Sequence, residues 1–186
     1  MTNFMAYLLF FIGAILVWMM FVYNALVSNR NGIKNAEAGV DAQLQKRYDL
    51  IPNLVATVKG YAAHEKSVLE QVTHLRQMAL QSENTPQKKQ VDAAIDTSLK
   101  HIFAIAENYP NLKADENFLQ LQAALNEVEA QIAAARRTYN ATVTQYNNMV
   151  ESFPSSIIAG AFGFIAHRWF ENTPEARQNP QIAGKL

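Results

Sequence analysis

The chain has 186 residues, with Lys plus Arg and Asp plus Glu balanced at 16 each and no cysteine. That length holds one modest core and an anchor but not two full globular domains, and the even charge gives no overall field for nucleic acid or an acidic partner. The absence of cysteine excludes disulfides, a thiol nucleophile, cysteine zinc sites and a lipidated N-terminal cysteine. With 7 Gly and 6 Pro, helix breakers are scarce and long helices are favoured.

From Phe4 to Val27 the run FMAYLLFFIGAILVWMMFVYNALV carries no ionisable charge. About 24 residues rising 1.5 Å each reach roughly 36 Å, enough to cross a hydrocarbon core near 30 Å. A signal peptide would need a basic start and a small-residue cleavage site, and neither is present, so residues 1–28 read as a retained transmembrane anchor. Arg30, Lys34, Lys46 and Arg47 follow the span and nothing basic precedes it, which places the N-terminus outside and the remainder in the cytoplasm.

Beyond the span the periodicity is helical throughout. Ile33, Ala36, Val40, Leu44, Tyr48, Ile51, Val55, Val58 and Ala62 form one stripe, interrupted by Pro52, which kinks that helix or starts a new one; Gly60 and the AAHE stretch offer a second turning point. A helix over about 64–81 presents Leu69, Val72, Leu75 and Ala79. The next opens with Thr85 as N-cap and Pro86 at its first position, and runs through Val91, Ile95, Leu99, Ile102, Ala106 and Tyr109. The last, about 115–152, steps from Phe118 through Leu125, Ile132, Tyr139, Thr142, Tyr146 and Met149 to Phe153 by alternating threes and fours, a coiled-coil-like period. The expected fold is all-α: the transmembrane helix, then an antiparallel up-down four-helix bundle of long helices over residues 29–152.

In such a bundle the fourth helix runs back to the bilayer, so residues 153–172 lie beside the exit of the anchor. This apolar segment is broken by Pro154, Gly160 and Gly163 and is too interrupted to span. Three readings stay open for it: a lid on the open end of the bundle, an interfacial foot, or an oligomer contact. In the second and third, Phe162, Phe164, Ile165, Trp169 and Phe170 make the lipid or subunit contact. Residues 173–186 read as a mobile tail.

No chemistry stands out. Glu-x-x-His pairs for a di-metal site are missing, Glu70 and His74 read as a solvated helix contact, and His64-Glu65-Lys66-Ser67-Val68 lacks the second histidine of a zinc protease. No Gly-rich phosphate loop or nucleophile elbow occurs. The expectation is a protein that is not an enzyme, with no cofactor, no metal and no nucleic-acid partner.

Four stretches carry a resemblance: YNALVSNRNGIKNAEAGVDAQLQKRYDLIPNLVATVKGYAAHE, AENYPNLKADENFLQLQ, ARRTYNATVTQYN and FPSSIIAGAFGF. Together they strongly resemble the bacterial LemA family, with Gly39 and Ala42 departing where larger aliphatic residues are common. The resemblance implies a single-pass protein of the bacterial cytoplasmic (inner) membrane with a cytoplasmic helical bundle, and implies no activity. Members are often encoded near a membrane-embedded zinc metalloprotease, and a related protein belongs to the magnetosome membrane. Two functions follow as expectations. One is a homo-oligomeric scaffold organising the membrane or its proteins; the alternative is an adaptor or regulator of a membrane metalloprotease.

The Tyr-Asn pair recurs at a spacing of seven, as Tyr139-Asn140 and Tyr146-Asn147. Antiparallel packing predicts that this set bonds to Arg30, Asn31, Lys34 and Asn35, forming a membrane-proximal polar latch.

Overall fold

The structure, a computed structural model, describes residues 2–82 and 85–170, with side chains over 3–82 and 87–170. Among the described residues the chain is all helical, without strands. The expected tail at 173–186 and the last two residues of the foot lie outside them.

Helix α1, Thr2–Tyr61, runs without interruption from the apolar segment through the first amphipathic stripe. Pro52 lies inside it and starts no new helix. A proline there has no N–H to return to the carbonyl of Tyr48 one turn back. That carbonyl instead accepts a hydrogen bond of 2.7 Å from Arg76 Nε, so a tertiary partner supplies what the proline removes. The chain turns at the second of the two candidate points, where Ala62 N–H bonds to Val58 and Glu65 N–H to Ala62. Helix α2 follows as Lys66–Gln81.

Helix α3, Thr85–Ala106, starts at the expected residue, though the side chains of Thr85 and Pro86 lie outside the description. It stops before Tyr109, because Pro110 opens a separate short turn, α4, Pro110–Lys113. Helix α5, Glu116–Glu151, is capped by Asp115, whose Oδ1 accepts the Phe118 N–H at 2.9 Å. The segment after it forms α6, Ser155–Ala161, a helix that Pro154 and Gly160 had masked in the sequence.

The chain divides into two compact units, Met1–Val40 with Ala134–Leu186, and Asp41–Ala133. In the first, α1 and α5 run antiparallel: Asn29 Nδ2 meets Met149 Sδ at 3.2 Å, and a Cβ on Gly32 would stand 3.4 Å from the Thr142 methyl. Leu26, Ile33, Val40, Val143, Tyr146 and Ile158 fill its core. Val143 is buried where the strict threes and fours pointed to Thr142.

In the second unit α1 lies parallel to α3, through Asp41 with Lys88 at 2.6 Å and Arg47 with Asp96. It lies antiparallel to α5, through Arg47 with Glu129 at 3.2 Å and Tyr61 with Asp115 at 2.8 Å. Val91, Ile95, Leu99, Ile102 and Ala106, the expected stripe of α3, are all buried. On α1 the buried position is Leu54, with Val55 half-covered beside it.

Candidate membrane-proximal site

The repeated Tyr-Asn pairs lie on the first unit's stretch of α5, and their bonds run to the chain's own later segment. Asn147 donates Nδ2 to the His167 carbonyl at 2.9 Å and accepts the His167 N–H at 2.9 Å on Oδ1. Asn140 treats Phe170 the same way, at 3.1 and 2.8 Å. A carboxamide carries one donor edge and one acceptor edge, so each asparagine pairs with a whole residue as a neighbouring β-strand would. The spacing explains the repeat: seven helical residues rise about 10.5 Å, and three residues of extended chain about 10 Å. Segment 164–170 is therefore bolted along α5 at two points.

Aromatic contacts reinforce the bolts. Tyr146 packs edge-on against the His167 ring at 5.5 Å and Tyr139 against Phe170 at 4.7 Å. The Tyr139 hydroxyl donates to the Arg168 carbonyl at 3.3 Å, and Trp169 Nε1 donates to Thr144 Oγ1 at 3.0 Å. Burial raises both phenols above their ordinary range; Glu37 adds to this at Tyr139, while Arg30 opposes it at Tyr146.

The other end of this arrangement meets α1. Tyr23, inside the apolar run, stands edge-on to Phe162 at 4.9 Å and to Phe164 at 5.7 Å. Arg30 lies over the Phe164 ring, 5.2 Å from its centre. Phe164 and Leu26 are buried, whereas Phe153, Ile157, Phe162, Ile165 and Trp169 are exposed.

Tyr139, Asn140, Tyr146 and Asn147 gather at one site, but the hydrogen bonds of Tyr139, Asn140 and Asn147 and the ring contact of Tyr146 go to residues 167–170 rather than to Arg30, Asn31, Lys34 and Asn35. Arg30 takes an aromatic partner, while Asn31, Lys34 and Asn35 are exposed. The five aromatic and aliphatic foot residues divide into buried Phe164, half-buried Phe170, and exposed Phe162, Ile165 and Trp169.

The second unit holds a cluster that charge counting passed over. Arg47 is 1% exposed, and its guanidinium bonds to Asp96, to Glu129 at 3.2 Å and to Asp92 at 3.3 Å. Tyr48 also donates its hydroxyl to Asp92. Burial, then the bond to Asp92 and its charge, push the Tyr48 phenol far above its ordinary range, so it remains a donor at any physiological pH. An open crevice of about 320 Å³ beside Arg47 is lined by Leu99, Phe103 and Leu125 with Lys100 and Asn126. The only sequence signal for this knot is an arginine one residue before a buried tyrosine, on the edge of the core stripe. Among the described residues no group of three His, Asp or Glu is placed to hold a metal ion, and Glu70 pairs with Lys66 at 3.6 Å.

Comparison with known proteins adds two findings. The family model of the LemA family matches residues 36–183. Among curated relatives, Protein LemA of Metamycoplasma hominis is 28% identical over 162 residues, covering 82% of this chain and 72% of the relative. Magnetosome protein MamQ 2 of Paramagnetospirillum magneticum is 23% identical over 190 residues, covering 88% of this chain and 70% of the relative. Magnetosome protein MamQ of Magnetospirillum gryphiswaldense matches with the same identity and coverage.

Proposed function

The chain belongs to the LemA family, and from that premise we propose that it is a non-enzymatic scaffold of the bacterial inner membrane that assembles with copies of itself. It crosses once, with its N-terminus outside and a cytoplasmic up-down four-helix bundle behind the anchor. The observation that carries this reading is the contact of Tyr23 with Phe162 and Phe164. One compact unit thereby joins a membrane-length apolar helix to a second apolar element, an arrangement suited to holding a domain against a bilayer. Relatives named as magnetosome proteins fit a membrane setting. Self-association is supported by a shallow apolar groove on α1 in which Gly13 and Ala14 sit between Phe10, Val17, Trp18 and Phe21. Small residues in such a groove let a second helix approach closely.

The test is photocrosslinking in native membranes from exposed Thr138 on α5, with mass photometry on particles that retain lipid. Crosslinks between copies and a defined oligomer mass are expected. A strictly monomeric particle refutes the scaffold, and a stoichiometric complex with a membrane metalloprotease in place of self-contacts turns the reading to the adaptor.

A further inference from the structure

We propose that residues 153–165 form a wedge seated in one leaflet of the bilayer, with an anionic lipid surface as the partner of their exposed apolar face. The proposal rests on the anchoring half of the function above and is independent of self-assembly.

The depth of the segment favours the wedge. The apolar run ends at Val27, and Tyr23 lies four residues inside it, about 6 Å towards the membrane centre. The run itself, at roughly 36 Å, exceeds a hydrocarbon core of about 30 Å by only a turn, so Tyr23 sits at the inner edge of the interface. Phe162 and Phe164 touch that tyrosine and therefore share its level. Leu26, also inside the run, is wholly covered by protein. On that side of α1, protein accompanies the anchor into the bilayer boundary.

Its polarity favours the wedge as well. Phe153 is 81% exposed and Ile165 75%, with Ile157 and Phe162 more than half exposed. A lid closing a water-facing bundle would turn such groups inward, because apolar surface left in water forfeits the free energy of burial. The backbone is prepared for a medium poor in hydrogen bonds. At the end of α6, Gly163, at φ 71°, lets Phe164 N–H reach back to the Ala159 carbonyl at 2.9 Å, and Gly163 N–H bonds to Gly160 at 3.4 Å. This Schellman closure consumes carbonyls that the helix end would otherwise expose.

The charge around it suits an anionic surface. From Ser152 to Phe170 there is no carboxylate, and the only formal charge is Arg168. Arg30 lies two turns past Tyr23, about 10 Å further out, at the height of lipid phosphates. It already covers the Phe164 ring, so the cation borders the apolar wedge on its aqueous side.

The chain contains no cysteine, so single-site spin labels report cleanly. We would label Ile157→Cys, Ile165→Cys and, as an aqueous control, Lys59→Cys in the full chain, reconstituted in vesicles of phosphatidylglycerol and phosphatidylethanolamine. Collision with oxygen is compared with collision with a water-soluble nickel chelate. The wedge predicts oxygen-to-chelate ratios several-fold above the control at both foot positions. It also predicts a fall to the control value at Ile165→Cys when Phe162 and Ile157 are both changed to Asp. Chelate access equal to the control overturns the proposal, and so does protection accompanied by dipolar broadening between labels, which would mark a second copy as the occupant. A particle that is monomeric yet shows a protected foot would sink the scaffold and leave the wedge standing.

Discussion

The two units solve one problem by opposite means. Each must bury polar groups, and the first does it with neutral carboxamides matched edge for edge to backbone, whereas the second does it with a guanidinium among three carboxylates. A neutral pair gives up little hydration and leaves nothing charged behind, while ions lose several kcal/mol of hydration each and recover it only through good geometry. The difference teaches what each device is for. Asparagine rungs attach a segment; an ion knot fixes which helix faces which.

Breaking the knot should have the largest effect. Arg47→Met leaves Asp92, Asp96 and Glu129 without their common cation, and a loss of about 3–5 kcal/mol is expected in denaturant unfolding of the detergent-solubilised protein. Restoring neutrality on top of it, with Asp92→Asn, Asp96→Asn and Glu129→Gln, should return a large part of that loss. Failure to recover would mean that Arg47 acts through packing instead.

Removing a rung comes next. Asn147→Ala orphans the N–H and the carbonyl of His167, at about 2 kcal/mol. Combined with Asn140→Ala it should free the segment, read as protease cleavage after Arg168 at least about tenfold faster by the opening free energy involved. The same variant should leave amide exchange on α3 unchanged; slowing or loss of protection there would erase the distinction between the units.

Arg76→Ala should cost about 1 kcal/mol by stripping the Tyr48 carbonyl of its donor. In a Pro52→Ala background the helix supplies its own N–H, so the penalty should shrink; equal penalties in both backgrounds refute the compensation.

The smallest effect is expected at Asp115. Phe118 N–H, then the Tyr61 hydroxyl, hold its carboxyl below the ordinary carboxylate value. Its contribution is present above the unfolded carboxyl's pKa and is lost as pH falls through the lowered one. Thermal melting from pH 5 downwards should thus fall more steeply for the native chain than for Asp115→Asn, which caps without titrating.

Much of this architecture was legible. The apolar run, the α3 stripe and the ends of α5 follow from charge and periodicity, because burial there is continuous along one face. Three features were not. Pro52 reads as a break since its remedy, Arg76, comes from another helix. Arg47 reads as a cytoplasmic surface charge, since nothing local shows that Asp92, Asp96 and Glu129 converge on it. Val143 displaces Thr142 from the core because a straight helix at 3.6 residues per turn drifts from a strict heptad. At the candidate site the Tyr-Asn repeat was visible but its partner was not, for extended segment 164–170 has no period to announce it.

That repeat works as a vernier, two scales of different pitch brought into coincidence at two marks. Seven divisions on α5 equal three on the strap. Inserting one residue between Asn140 and Asn147 turns one amide about 100° around the helix, and inserting one between His167 and Phe170 points the opposing backbone away. Neither scale can change length without the other losing a mark, so both stretches must lengthen or shorten together or not at all.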